Sequence, residues 1–122
     1  MADAYDAALA SGTGFKMFLS FDMSAIPCSS WSDTQFLTNL IVRFGNHAAQ
    51  LKDLSGNAYV STFSGEYCYW GQGFITPGWV QAVKTGPSAS GIKTKFLPSF
   101  FTDSNMNPGY SSFMDGMFPV SV

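Results

Sequence analysis

Charge is what this sequence has least of. Asp, Glu, Lys and Arg supply 11% of its 122 residues, less than half the share of an average soluble domain. Six cations against eight acids leave a net charge of −2, so there is no basic footprint for nucleic acid. No apolar run approaches the roughly 20 residues that cross a membrane, so no membrane association is expected. His47 is the only histidine, and the two cysteines, Cys28 and Cys68, form no CxxC pair. Asp or Glu would have to complete any zinc site, and neither a metal nor another cofactor is expected. The cysteines themselves are compatible with one disulfide, two free thiols or half of a metal site. No Asn-x-Ser/Thr sequon, GxSxG or GxxxxGK[ST] occurs, and the GQG at Gly71–Gly73 lacks a third glycine. Those absences leave little room for nucleophile-elbow, P-loop or dinucleotide chemistry. The opening MADAYDAALASG has no basic region, and Asp3 and Asp6 interrupt its apolar residues, so it reads as helix rather than signal peptide.

Aromatics, by contrast, reach 16%. Aromatics with few charges suit a carbohydrate-binding surface, and a large core gives the same composition. The length allows one domain, residues 1–122, with a core of useful size. Helical spacing of Ala4, Tyr5, Ala8 and Leu9 predicts a first helix, stopped by Ser11-Gly12-Thr13-Gly14. A second follows Ser32, whose spacing to Gln35 fits a capping box, with Phe36, Leu37, Leu40, Ile41 and Phe44 as its apolar stripe. Thr76 and Pro77 open a third, turning Trp79, Val80 and Val83 inward. Gly86 to Gly91 reads as a turn-rich connection. Strands are expected at about 15–23, 58–64 and 92–99, with a short fourth in FMDGMF. Strands alternating with helices give parallel pairing and an α/β fold.

Each strand ends near an acid: Asp22 after GFKMFLSF, Glu66 after AYVSTFSG and Asp103 after KFLPSFFT. Phe15, Met17, Leu19 and Phe21 share one face of the first strand, opposite Phe18, Ser20 and Asp22. Aligned on their Ser/Thr-Phe pairs, the three strands carry all three acids on one parity, opposite the phenylalanines. Polar groups collected from successive strand ends mark the mouth of a (β/α)8 barrel or of an open doubly wound sheet. Carboxylates converging on an aromatic mouth suit glycoside hydrolysis, which needs one acid and one base or nucleophile across the scissile bond. They also bind sugar hydroxyls without chemistry, and strand-end acids can simply cap the next helix. Asp115 has the same two readings, as a ligand contact with Gly116 behind it or as an Asp-Gly turn. Tyr67, Tyr69, Trp70 and Phe74 either stack on sugar rings or pack around Cys68. His47, at a helix end, reads as a carbonyl-capping or solvent-facing side chain.

Taken in order and spacing, AYDAALASGTGFKMFLSFDMS, the IPCSS loop, YVSTFSGEYC, KFLPSFFTD and MDGMF resemble glycoside hydrolase family 71, the fungal α-1,3-glucanases or mutanases. The resemblance covers about residues 4–118. It implies a secreted, inverting hydrolase of α-1,3-glucan built on a (β/α)8 barrel, with α-1,3-glucan as partner. It implies too that Cys28 and Cys68 form a disulfide between two successive βα loops. Asp22, Glu66, Asp115, Tyr67 and Trp70 carry over as substrate-site residues. The family's acid and base resemble a Trp-Asn-Asp-Tyr-Gly-Glu segment on a later strand, and this sequence has no such segment, so no catalytic residue is assigned. The expectation is a partial barrel of four parallel strands, truncated at both ends and inactive alone, with self-association through its open sheet edges. The alternatives are a non-enzymatic glucan-binding half-barrel and a small independent α/β hydrolase that uses Asp22 and Glu66 itself.

Overall fold

The computed structural model describes residues 2–100 and 113–116. Three parallel strands, β1 (Leu19–Asp22), β2 (Ala58–Phe63) and β3 (Thr94–Ser99), lie side by side in sequence order. The helices are α1 (Ala2–Ala10), α2 (Thr34–Phe44), α3 (Thr76–Val80) and α4 (Gly86–Ser88), with a π-helical segment, Gln81–Thr85, joining the last two. The α/β class and the parallel pairing are as expected. A fourth strand is absent among the described residues: Phe113–Gly116 form a turn and bend. Asp103, Met117 and Phe118, on which other expectations fell, lie outside them.

Register sets the faces. Leu19 pairs with Val60 and Val60 with Phe96; Phe21 pairs with Thr62 and Thr62 with Pro98. These six side chains are buried and share the face that joins Leu37, Ile41, Trp79 and Val83 in one core. The opposite face carries three cross-strand rows. Phe18 and Tyr59, with ring centroids 6.3 Å apart, lie beside Lys95 at the amino end. Ser20, Ser61 and Leu97 form the middle row, and Asp22, Phe63 and Ser99 the row at the carboxyl end. Aligning the strands on Ser/Thr-Phe is therefore out by one residue. Phe21 points to the helices, whereas Phe63 stands on Asp22's face, because Thr62 rather than Phe63 is the residue paired with Phe21.

Other boundaries shift for local reasons. The first strand is shorter than expected, with Met17 making only an isolated bridge to Gln50 and Phe15 exposed. The capping box falls at Ser30 and Asp33, not Ser32 and Gln35. The Asp33 carboxylate accepts from the amides of Ser29 and Ser30, each at 3.1 Å, while the Gln35 amide donates to Asn39. A carboxylate is the stronger acceptor for orphan amides at a helix start. A 3-10 turn, Trp31–Asp33, consequently precedes α2. The buried face of α2 is Thr34, Leu37, Thr38, Ile41 and Phe44; Phe36 is exposed.

Thr38 is buried because the helix opposite needs it. Pro87 has no amide to give the Val83 carbonyl four residues back. In the π-helical register the Gly86 amide reaches Gln81 rather than Ala82, so two successive carbonyls lose their helical donors. Thr38 donates to Ala82 at 2.9 Å and Thr94 to Val83 at 2.6 Å. Gly86 makes the approach possible: a Cβ there would stand 2.5 Å from Thr38 Oγ1. The first half of the expected turn, Gly86–Ser88, is thus helix kept going by hydroxyls from α2 and β3, and residues 89–91 form the turn.

The outer edge of β3 is closed residue by residue. The Thr94 carbonyl accepts from Lys84 Nζ at 2.8 Å. The Phe96 amide donates to the Asp115 carboxylate at 2.8 Å, and its carbonyl accepts from the Asp115 amide at 2.9 Å. Pro98, next on that side, has no amide to leave unpaired, the usual place for proline in a sheet. At the other end of the core, Tyr5 stacks on Phe44 with centroids 4.6 Å apart and donates to Gln50 Oε1 at 2.8 Å. His47 Nδ1 accepts from the Ala49 amide and its Nε2 meets Asp6, both at 3.0 Å, which holds α1 against the loop after α2.

Candidate active-site mouth

Asp22 is the last residue of β1. Its Oδ1 accepts from the Ser24 amide at 3.1 Å and from the Ser24 hydroxyl, and the chain turns as Ala25 and Ile26 donate to the Asp22 carbonyl. This local ring fixes the carboxylate while leaving the residue exposed. Glu66 follows the neighbouring strand by three residues. Ser64 and Gly65 both take positive φ, 63° and 112°, and this sharp bend, rather than strand alternation, aims Glu66. A Cβ on Gly65 would stand 2.8 Å from Trp79 Cζ2, and the Gly65 carbonyl accepts from Trp79 Nε1 at 3.2 Å. Only glycine satisfies both the conformation and the contact. The Ser64 hydroxyl donates to Glu66 Oε2 at 3.0 Å, and Glu66 is 7% exposed. Both acids therefore leave the carboxyl end of the sheet from adjacent strands.

The loops after β1 and β2 are fastened together above them. Cys28 and Cys68 form a disulfide with Cα atoms 5.3 Å apart, and the Trp70 amide donates to the Cys28 carbonyl at 3.0 Å. On this loop pair Trp31, Tyr67, Tyr69 and Phe74 are exposed. Trp70 departs from its expected stacking role. Its ring is fully buried, edge-on to Trp79 at 5.2 Å and against Gly78, where a Cβ would stand 2.1 Å from Trp70 Cδ1. Its Nε1 has no hydrogen-bond partner among the described residues. Core packing, the other reading of this residue, is what holds it.

Asp115 is likewise set apart from Asp22 and Glu66. Its carboxylate is engaged by Lys84 and by the Phe96 amide, beside the middle of β3 rather than at its carboxyl end. Among the described residues no group of three His, Cys, Asp or Glu side chains is placed to hold a metal ion, and no helix is long and apolar enough to cross a membrane. Phe63 and Trp31 were not singled out by sequence reasoning. The register reveals the first; the second could have been noticed as an aromatic three residues past Cys28.

Two carboxylates thus leave one end of a parallel α/β sheet, under aromatic loops clipped by a disulfide. The family profile of Glycosyl hydrolase family 71 matches residues 1–120, and the chain belongs to that family. It is 39% identical over 98 residues to the glucan endo-1,3-alpha-glucosidase agn1 of Schizosaccharomyces pombe. That alignment takes in 80% of this chain and 22% of the relative, so the chain spans about a fifth of that protein's length. No solved structure matches.

Proposed function

We propose that this chain is the substrate-binding part of an inverting endo-α-1,3-glucanase, and that it holds α-1,3-glucan at the carboxyl end of its sheet. The observation that carries this is the exit of Asp22 and Glu66 from the same end of neighbouring parallel strands. Exposed Tyr67 on the disulfide-bound loop adds a stacking surface beside them. Carboxylates accept hydrogen bonds from sugar hydroxyls, and aromatic faces cover the C–H faces of the rings. The consecutive, all-parallel strand order supports a segment of a (β/α)8 barrel whose inner face is the one opposite the helices. The linkage is that of the S. pombe relative, a glucan endo-1,3-alpha-glucosidase, which supports the reading. A disulfide supports an extracellular setting. In this reading Trp70 belongs to the core and Asp115 to the sheet edge.

The chain binds without hydrolysing, because its sequence holds no Trp-Asn-Asp-Tyr-Gly-Glu-like segment to supply the acid and base. The test is incubation of the purified 122-residue protein with α-1,3-glucan, measuring reducing ends and pull-down together. Retention on the polymer that falls in Asp22→Asn and Glu66→Gln, without sugar release, is expected. Release of sugar abolished by either substitution would promote the independent small hydrolase. No retention at all would remove the reading.

A further inference from the structure

We propose that Phe63 is the stacking platform for one glucosyl unit, flanked by Asp22 and Ser99 as hydroxyl partners. The inference rests on the glucan-binding reading above and names where in the mouth a sugar ring sits. Phe63 is the last residue of β2, the central strand, and pairs in register with Asp22 on one side and Ser99 on the other. Neighbouring strands lie about 4.8 Å apart, so the backbones that carry Asp22 and Ser99 stand roughly 10 Å from each other across Phe63. Val60 and Thr62 on the same strand are 2% and 1% exposed, whereas Phe63 is 50% exposed. A large apolar ring is thus presented at a strand end, facing away from the helix-side core.

The chemistry of the flanks fits a sugar. The face of an aromatic ring takes the C–H face of a pyranose, while the hydroxyls in the sugar's plane need partners at its rim. Asp22 supplies an acceptor on one side; both bonds from Ser24 go to its Oδ1. Ser99 supplies a hydroxyl on the other, its carbonyl already taken by the Ser64 amide at 3.1 Å. Beneath Phe63 on the same face the cross-strand row begins with two small residues, Ser20 and Ser61, and the Ser61 hydroxyl is tied to the Leu97 carbonyl at 2.7 Å.

The probe is an α-1,3-linked glucotetraose titrated into the whole chain, followed by calorimetry and by the NMR shifts of the phenylalanine ring protons. Phe63→Leu keeps most of the apolar volume and removes the aromatic face; it should weaken binding about tenfold. Phe63→Tyr should stay within about twofold, since it keeps the face. Unchanged far-ultraviolet circular dichroism and melting of Phe63→Leu separate this loss from misfolding, and Phe63→Tyr serves where Phe63→Leu does not fold. Wild-type binding that Asp22→Asn weakens and Phe63→Leu leaves intact overturns the platform while sparing the glucan reading. So does a Phe63→Tyr protein that folds and fails to bind. A wild-type chain that does not bind the tetraose sinks both.

Discussion

The hydroxyl of Thr94 in β3 donates to the carbonyl oxygen of Val83, 2.6 Å away, replacing the amide that Pro87 lacks. Both groups are buried, so the bond is made away from competing water, where leaving an acceptor unpaired costs about 1–3 kcal/mol. Thr94→Val keeps the shape and removes the donor. It should lower the unfolding free energy by that amount, read as a shift in the urea midpoint at unchanged slope. Pro87→Ala restores an amide facing Val83 and should recover part of the loss in the Thr94→Val background. Additive effects of the two changes would mean that the hydroxyl and the missing amide are not alternatives.

This relationship also shows where sequence reading stops. Alternation and helical spacing revealed α2, β2 and β3, because single-element patterns survive without knowledge of neighbours. The acids at the ends of β1 and β2 were legible for the same reason. The π-helical segment was not: it depends on Thr38 and Thr94, distant in sequence and brought to two adjacent carbonyls only by folding. Phe63 was put on the wrong face because the Ser/Thr-Phe repeat looks like register, whereas backbone pairing sets it one residue away. Trp70 looked like its exposed neighbours Tyr69 and Tyr67, since nothing local announces that Gly78 opens a slot for its ring.

Burial pushes the Tyr5 hydroxyl up from 10.0 to about 12. Between those values the unfolded chain has lost this proton and the folded chain keeps it, so the fold binds more protons and stability falls as pH rises. The contribution is fully present below pH 10 and is lost as pH climbs to about 12. Tyr5→Phe should be less stable at neutral pH by about 1–3 kcal/mol, because Gln50 Oε1 loses its donor. Its stability should decline less steeply than wild type across the alkaline window. Parallel alkaline profiles for the two proteins would show that Tyr5 does not titrate there.

The Cys28–Cys68 bond closes a separation of 40 residues. In the chain-entropy description such a loop contributes roughly 4 kcal/mol by constraining the unfolded chain. Reduction, or the pair Cys28→Ser and Cys68→Ser, should lower stability by about that much. The Trp70-to-Cys28 backbone bond should then exchange its amide proton faster. Equal midpoints with and without reductant would argue that the bond adds nothing.

Asp115 is the last link in the closed edge of β3, and its substitution separates an edge role from a substrate role. Its carboxylate receives the Phe96 amide and the Lys84 ammonium, and its own amide reaches the Phe96 carbonyl. An unpaired edge is a template for other chains. Asp115→Ala removes the acceptor, so the Phe96 amide should lose protection from hydrogen exchange and the protein should associate more readily at high concentration. Asp115→Asn keeps an oxygen for the amide but loses the charge that pairs with Lys84, so protection should fall only partly. The ion pair is partly exposed to solvent and should itself be worth about 1 kcal/mol. Glucan retention should be unchanged in Asp115→Asn if the residue serves the edge. Loss of retention with Phe96 protection intact would return Asp115 to the substrate site and show that the edge is closed by Lys84 and Pro98 without it.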